Sequence, residues 1–336
     1  MLAFEVERGD AEHMRKILIN DGLLDSSRRI ISREGSTFLP VVSEKIRKLD
    51  IDFKVVDTPC PAQTSPALNF EEVKRTLSQS LDIDPEMLQG GWEKIGDILV
   101  IELPKELDKK KYNIGKMLLT LFPKTNSVVN RKGILGPLRR PNVEIIAGEK
   151  TETIHRENHC KFKIDLSKVM FSAGNAGERQ RMAKISDKDE TVIDMFSGIG
   201  QFTIPLAKHS GPKRVVAIEK SPQTFEFLKE NIRLNKLENV EPILGDCRDI
   251  PMPAADRIIM GYFFNPDRFL STAIEKIRPE GTIHFHDIVE KEDIKKRTVE
   301  LKEDIKALGK SSTITNRVVK SYAPKRWHVV FDLCIK

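Results

Sequence analysis

A chain of 336 residues, 39% hydrophobic and 32% charged, is long enough for two or three domains and a large core, so a globular enzyme is the expected class. Its net charge of +6 suits a polyanionic partner. No run approaches the roughly 18 apolar residues of a membrane span, "MLAFEVERGD" lacks the order of a secretory signal, and Cys60, Cys160, Cys247 and Cys334 form no CxxC pair. These features exclude a membrane protein, a zinc module and a disulfide framework, and predict a cytoplasmic protein.

Residues 1–56 read as a small α/β module: a strand in "LAFEVE", a helix opening at Asp10 with Met14, Ile17 and Leu18 on one face and closing at Gly22, then a strand in "STFLPVV". "DTPCPAQTSPALN", 57–69, holds three prolines and no periodicity and reads as a linker. From 70 to 170 a mixed α/β domain is expected, with helices in "FEEVKRTLSQSL" and "KKKYNIGKMLLTLF", a strand after a turn at Gly96-Asp97, and short strands broken by Gly and Pro in "SVVNRKGILGPLRRPNVEIIAGE". Over 171–336, strand candidates at 191–196, 214–219, 240–244, 256–260 and 281–286 alternate with helical stretches, which predicts a doubly wound parallel sheet. "ITNRVVKSY" and "WHVVFDLCI", joined by a short turn, are expected to pair antiparallel at its edge.

"TVIDMFSGIG", 191–200, places Asp194 and a glycine turn after the first strand of that sheet, where a ligand can approach closely only if side chains are absent. Gly198 and Gly200 alone are weak, because two glycines also serve packing. Glu219 ends the second strand, where an acid accepts from both ribose hydroxyls, and Asp246 ends the third, where a carboxylate takes an adenine amino group. Turn and acids together describe a nucleoside cradle. A dinucleotide site prefers Gly-x-Gly-x-x-Gly, whereas Phe202, Thr203 and Pro205 follow here, which favours S-adenosylmethionine.

With "VVAIEKSPQTFEFLKENIRLNK", "ADRIIMGY" and the upstream "RKGILGPLRRPNVEIIAGEKTETIHRENHCKFKIDLSKVMFSAGNAGERQRMAK", this turn resembles the class I S-adenosylmethionine domain of enzymes that modify the purine beside the tRNA anticodon. One branch holds guanine-37 N1-methyltransferases, the other wybutosine-pathway aminocarboxypropyltransferases. The resemblance implies a Rossmann-like doubly wound sheet with an antiparallel C-terminal hairpin, preceded by two smaller α/β domains. It also implies S-adenosylmethionine as cofactor and the anticodon loop of tRNA as partner. In the methyl branch an Asn-x-Pro ends the fourth strand; here Met260-Gly261-Tyr262 stands there, and Asn265-Pro266 reads as a later loop turn. That departure, "GTIHFHDIVEKE" and "YAPKRWHVVFDL" look more like the aminocarboxypropyl branch. The implied activity is therefore transfer of the 3-amino-3-carboxypropyl group to 4-demethylwyosine at position 37 of tRNA-Phe. The alternatives are a guanine-37 N1-methyltransferase and, second, another S-adenosylmethionine-dependent methyltransferase. The N-terminal module resembles one that touches the outer corner of tRNA in the methyl branch and pulls toward the first alternative. No protein partner is implied.

By the same resemblance Ser172, Asn175, Asp194, Phe196, Gly198, Gly200, Glu219, Lys220, Asp246, Cys247, Met260, Gly261 and Tyr262 line the cofactor, while Arg139 and Glu178 carry catalytic contacts. Arg139, in "GPLRRPN", would hold a carboxylate or phosphate bidentately; Glu178 occupies the place of the methyl branch's proton acceptor. Arg179 and Arg181 are candidates to reach phosphates, and "RKGILGPLRR" with "KKKYNIGK" a candidate tRNA path. Tyr322 or Trp327 is a candidate to stack on a base, with packing into the core as likely an outcome for Trp327 as stacking. His284 and His286 share a strand face, but no third ligand stands nearby, so no metal site is expected.

Overall fold

The computed structural model describes residues 2–7, 9–25, 27–33, 35–42, 54–58, 60, 70–88, 91–136 and 140–336. The chain forms two compact units, 1–76 and 77–336.

In the first, β1 (Leu2–Glu7), α1 (Ala11–Asn20), β2 (Ile31–Arg33), β3 (Ser36–Pro40) and β4 (Val55–Asp57) form a sheet in the order β2-β3-β1-β4. Met14 and Leu18 of α1 pack with Phe4, Val6 and Leu39 of the strands, which is the apolar face the spacing predicts. Asp10 takes the N-cap position but its side chain makes no capping hydrogen bond. The predicted linker lies outside the described residues except at 57, 58 and 60.

After α2 (Phe70–Leu81), β5 (Glu93–Ile95) and β6 (Ile98–Ile101) form a hairpin over Gly96-Asp97; α3 (Lys111–Leu121) then leads to β7 (Ser127–Leu135) and β8 (Arg140–Ala147). The sheet order is β5-β6-β7-β8, with β6 and β7 parallel. The short broken strands expected over 127–149 are instead two long strands of one hairpin. Gly133, at φ +119°, accommodates a register shift inside β7 where a break was anticipated. A second hairpin, β9 (Glu152–Glu157) and β10 (Cys160–Asp165), was not foreseen. Its turn is Asn158-His159, both left-handed at φ 47° and 59°, so no glycine marks it.

The remainder runs α4 (Ala176–Met182), β11 (Thr191–Asp194), α5 (Thr203–His209), β12 (Arg214–Glu219), α6 (Pro222–Leu234), β13 (Val240–Leu244), β14 (Ala255–Met260), α7 (Leu270–Lys276), β15 (Ile277–Glu290), α8 (Ile294–Ala307), β16 (Ser312–Ala323) and β17 (Arg326–Ile335). These strands make one sheet in the order β13-β12-β11-β14-β15-β17-β16. It is parallel through β15 and antiparallel across the final hairpin, with β16 at the edge and β17 inserted beside β15. Neighbouring residues of one strand serve opposite faces. Val192 and Val215 pack with Ile204, Leu228, Phe162 and Ile98 on one side, while Ile193 and Val216 pack with Ile274, Leu301 and Phe331 on the other. Burial on both faces is what continuous apolar strands require.

One polar device fastens β10 to this sheet. Asn231 on α6 and Asn235 at its C-cap, one turn on, each treat a residue of β10 as a neighbouring strand would. Lys163 N donates to Asn231 Oδ1 at 2.6 Å while Asn231 Nδ2 donates to Lys163 O at 3.2 Å and to Ile199 O at 3.0 Å. Lys161 and Asn235 repeat the exchange at 2.9 and 2.6 Å. Replacing Asn231 by Leu strands three backbone groups, so a loss of about 2–4 kcal/mol in urea unfolding is expected. A loss below about 1 kcal/mol would contradict this account of the ladder.

Candidate functional site

The carboxyl ends of β11, β12 and β14 open onto a cavity of about 610 Å³ within the second unit. Its floor is built round a buried carboxylate. Asp194, fully buried, accepts from Phe196 N at 3.2 Å and from Thr203 Oγ1 at 2.7 Å, so the loop 195–200 folds back over the strand end. Burial, with the negative charge of Glu219 adding to it against those hydrogen bonds, pushes Asp194 up to about 6. Glu219, ending β12, grips the same loop: Gly198 N donates to Oε2 at 2.9 Å and Ser221 N to Oε1 at 2.7 Å. Burial raises Glu219 also.

The two glycines divide their work. A Cβ on Gly198 (φ +56°) would meet nothing within 4 Å, so that position is bare toward the cavity it lines. A Cβ on Gly200 (φ +92°) would stand 2.7 Å from Ile204, so this one serves loop packing.

Of the residues singled out by sequence, Ser172, Asn175, Phe196, Gly198, Glu219, Lys220, Asp246, Cys247 and Tyr262 line this cavity together. Phe196 stacks on Tyr262 at 5.1 Å and meets Phe269 edge-on at 4.8 Å, giving an aromatic wall. Asn175 Oδ1 is buried without a hydrogen-bond partner. Asp246 is held by Arg248, at 2.9 and 2.7 Å, and by Lys220, at 2.9 Å, which keep it well below the usual carboxylate range. Burial pushes the Cys247 thiol up to about 12, so it stays protonated.

Others stand off the wall. Asp194 lies beneath the loop, Gly200 packs, Met260 is buried in the core, and Gly261 is small because a Cβ would press on the Phe202 ring at 3.0 Å. Arg139 lies outside the described residues. Glu178 is fully buried and ion-paired with Arg181, at 2.8 Å, and with Arg317. The phosphate-reaching role expected of Arg179 and Arg181 is corrected. Arg179 is buried, paired with Glu157 at 2.6 Å across the unforeseen β9–β10 hairpin, and laid over Phe171. Arg181 bridges Glu178 and Asp332. The expected tRNA path is partly self-neutralised: Arg131 pairs with Glu93, and Lys111 and Lys132 with Glu144.

The histidines find internal partners. Arg257 Nη1 donates to His284 Nε2 at 2.9 Å, so His284 carries its proton on Nδ1, facing Asp332 at 2.5 Å. His286 Nδ1 and His328 Nε2 lie 2.9 Å apart, and burial pushes His328 down to about 4. Among the described residues no cluster of His, Cys, Asp and Glu is placed to hold a metal ion, and no helix is long and apolar enough to cross a membrane. Tyr322 is exposed and meets Phe263 of the cavity wall at 5.6 Å, whereas Trp327 packs half-buried against the core. Lys320 was missed altogether: its Nζ donates to Ser172 Oγ at 2.9 Å, and no local pattern in its edge strand announces that contact.

Known proteins can now be set beside this geometry. Residues 153–314 match the TRM5/TYW2 methyltransferase domain, 73–151 the TYW2 N-terminal domain and 5–48 the tRNA methyltransferase 5 N-terminal domain. The tRNA(Phe) (4-demethylwyosine(37)-C(7)) aminocarboxypropyltransferase of Methanocaldococcus jannaschii is 45% identical over 244 residues, 72% of this chain and 96% of that one. The chain belongs to the TRM5/TYW2 family. Among solved structures, M. jannaschii TYW2 in complex with AdoMet superposes with TM-score 0.61 at 40% identity, covering 73% of this chain and 99% of that one. Trm5b from Pyrococcus abyssi superposes with TM-score 0.72 at 33% identity, covering 100% and 99%. The aminocarboxypropyltransferase is thus the more similar of these two in sequence, while Trm5b matches along the whole length.

The raised Asp194 sets a pH signature. A carboxyl group whose folded value, about 6, exceeds its ordinary 3.8 favours the fold below the lower value and loses that contribution as pH rises through the upper one. Wild type should therefore lose stability relative to Asp194→Asn, on the order of 3 kcal/mol, between about pH 4 and about pH 7.5 in paired thermal melts. A pH-independent gap would mean that Asp194 ionises normally.

Proposed function

We infer that this chain transfers the 3-amino-3-carboxypropyl group of S-adenosylmethionine to 4-demethylwyosine at position 37 of tRNA-Phe. The observation that carries the inference is the cavity's fourth-strand edge. Aromatic Tyr262 and Phe263 stand there, where the methyl branch resembled by the sequence has an Asn-x-Pro to hold guanine. Identity of 45% to an aminocarboxypropyltransferase supports it.

The residues present fit the cofactor. Gly198 leaves the loop bare toward the cavity, and Asn175 Oδ1 is a buried acceptor waiting for a donor. Each Glu219 oxygen takes one backbone N–H and keeps capacity for a ribose hydroxyl. Asp246 already accepts four hydrogen bonds, from Arg248 and Lys220, so an adenine amino group displaces one of them. Lys220, whose side chain is 62% exposed, is the partner free to leave. Phe196 and Tyr262 offer flat apolar faces. When bound, S-adenosylmethionine supplies an electrophilic γ-carbon, whose bond to sulfur breaks with the electron pair passing to sulfur as a base carbon bonds to it and sheds a proton. Glu178, gripped by two guanidinium groups, serves to fix α4 under Asn175; a carbon nucleophile of an electron-rich tricyclic base does not require a strong base at that place. Arg139 is proposed to contact substrate. The module at 5–48, matching a tRNA methyltransferase 5 N-terminal domain, is proposed to touch the outer corner of the tRNA, while the second unit takes the anticodon loop.

Methyl transfer to guanine 37 is the second reading, favoured by that same module. Precursor tRNA incubated with S-adenosylmethionine labelled separately in the methyl and the carboxyl carbon separates the two. The expected result is carboxyl label in tRNA and methyl label in released 5′-methylthioadenosine; methyl label alone in tRNA would overturn the proposal.

A further inference from the structure

The cations around the cavity are not equivalent. Lys168, Lys220 and Arg248, all on its walls, are each paired with a carboxylate, at 2.8, 2.9 and 2.7 Å. Lys320 is not itself a wall residue: from β16 its ammonium donates to Ser172 Oγ, which is, at 2.9 Å, and it has no carboxylate within 4 Å among the described residues. The chain makes room for it. A Cβ at Gly174 would stand 2.9 Å from Lys320 Nζ and 3.3 Å from its Cδ, so a side chain there would press the ammonium out of place. Burial lowers the lysine, Glu93 opposes that, and the charges of Arg179 and Arg131 reinforce it, so an added anion would relieve an unfavourable position. One residue beyond Gly174, Asn175 presents its partnerless buried carbonyl oxygen in the cavity wall.

A cation and a neutral acceptor at one end of a cavity complement an α-amino acid: its carboxylate meets the first and its ammonium donates to the second. We propose that Lys320 and Asn175 form the amino-acid clamp of this site, Lys320 binding the carboxylate at the far end of the transferred arm. The proposal rests on the cofactor reading above and deepens it. Fixing the arm at its distal end restricts which sulfonium-bound carbon can face a nucleophile in line. Arg268 is the competing cation. It also lines the cavity, but from the turn carrying Phe269, against which Arg248 lies at 4.8 Å, on the Asp246 side.

5′-Methylthioadenosine has the same nucleoside and sulfur but no amino-acid arm, so it isolates the clamp. Titration calorimetry of the full chain should show Lys320→Met weakening S-adenosylmethionine by about ten- to a hundredfold while leaving 5′-methylthioadenosine unchanged, as expected for losing a charged hydrogen bond. Gly174→Ala should reproduce the selective loss more weakly by displacing the ammonium. Retained 5′-methylthioadenosine binding certifies that each variant is folded. Equal weakening of both ligands, unchanged binding of both, or the selective loss appearing in Arg268→Met in place of Lys320→Met overturns the clamp. If wild type binds neither ligand, the cofactor reading itself fails and the clamp with it.

Discussion

A carboxylate sealed away from water at the end of β11 is the constraint on which the site depends. Asp194 is buried where ionisation is disfavoured, and the groups that satisfy it are a backbone N–H of the glycine loop and a hydroxyl of the helix behind it. Loop and helix are thereby tied to one strand end. Glu219, on the neighbouring strand, then takes the Gly198 N–H of the loop, so two acids stretch the turn between them. The repulsion this creates is tolerated because it leaves the Gly198 face bare, and bare backbone at a strand's carboxyl edge is what a nucleoside needs.

Around that floor the polarity is graded. On the Asp246 side Lys220 and Arg248 share one carboxylate and aromatic rings supply the surface; on the Ser172 side a cation without a carboxylate partner and an amide oxygen stand together. A ligand with a flat apolar end and a zwitterionic end has only one way to lie across such a gradient. For a family in which methyl and aminocarboxypropyl transfer share a fold, that orientation decides which bond breaks.

The sheet was legible because its strands are apolar runs separated by helical periodicity, and Asp194, Glu219 and Asp246 were legible because each ends such a run. The β9–β10 hairpin escaped because Asn158 and His159 make its turn with positive φ and no glycine. That omission carried a second one: without the hairpin, Glu157 was not available in sequence reasoning as the partner of Arg179, which then looked free for phosphate. Gly261 and Met260 were expected on the wall from the resemblance, but Met260 packs into the core and Gly261 lies against the Phe202 ring. Lys320 stands 148 positions from Ser172, and only the antiparallel return of the last hairpin brings them together.

The same return threads a line of alternating charge through the sheet: Glu190, Arg257, His284, Asp332, Arg181, Glu178 and Arg317 follow one another in contact. Because Arg257 can only donate and Asp332 only accept, His284 between them is compelled to one tautomer, and the line acquires a sense of direction from β14 to α4. A second proton on that imidazole would point straight at a guanidinium. The histidine is thus a rectifier: it relays orientation across three strands while burial, opposed by Asp332 and reinforced by the two guanidinium groups, disfavours the charge state that usually makes histidine useful.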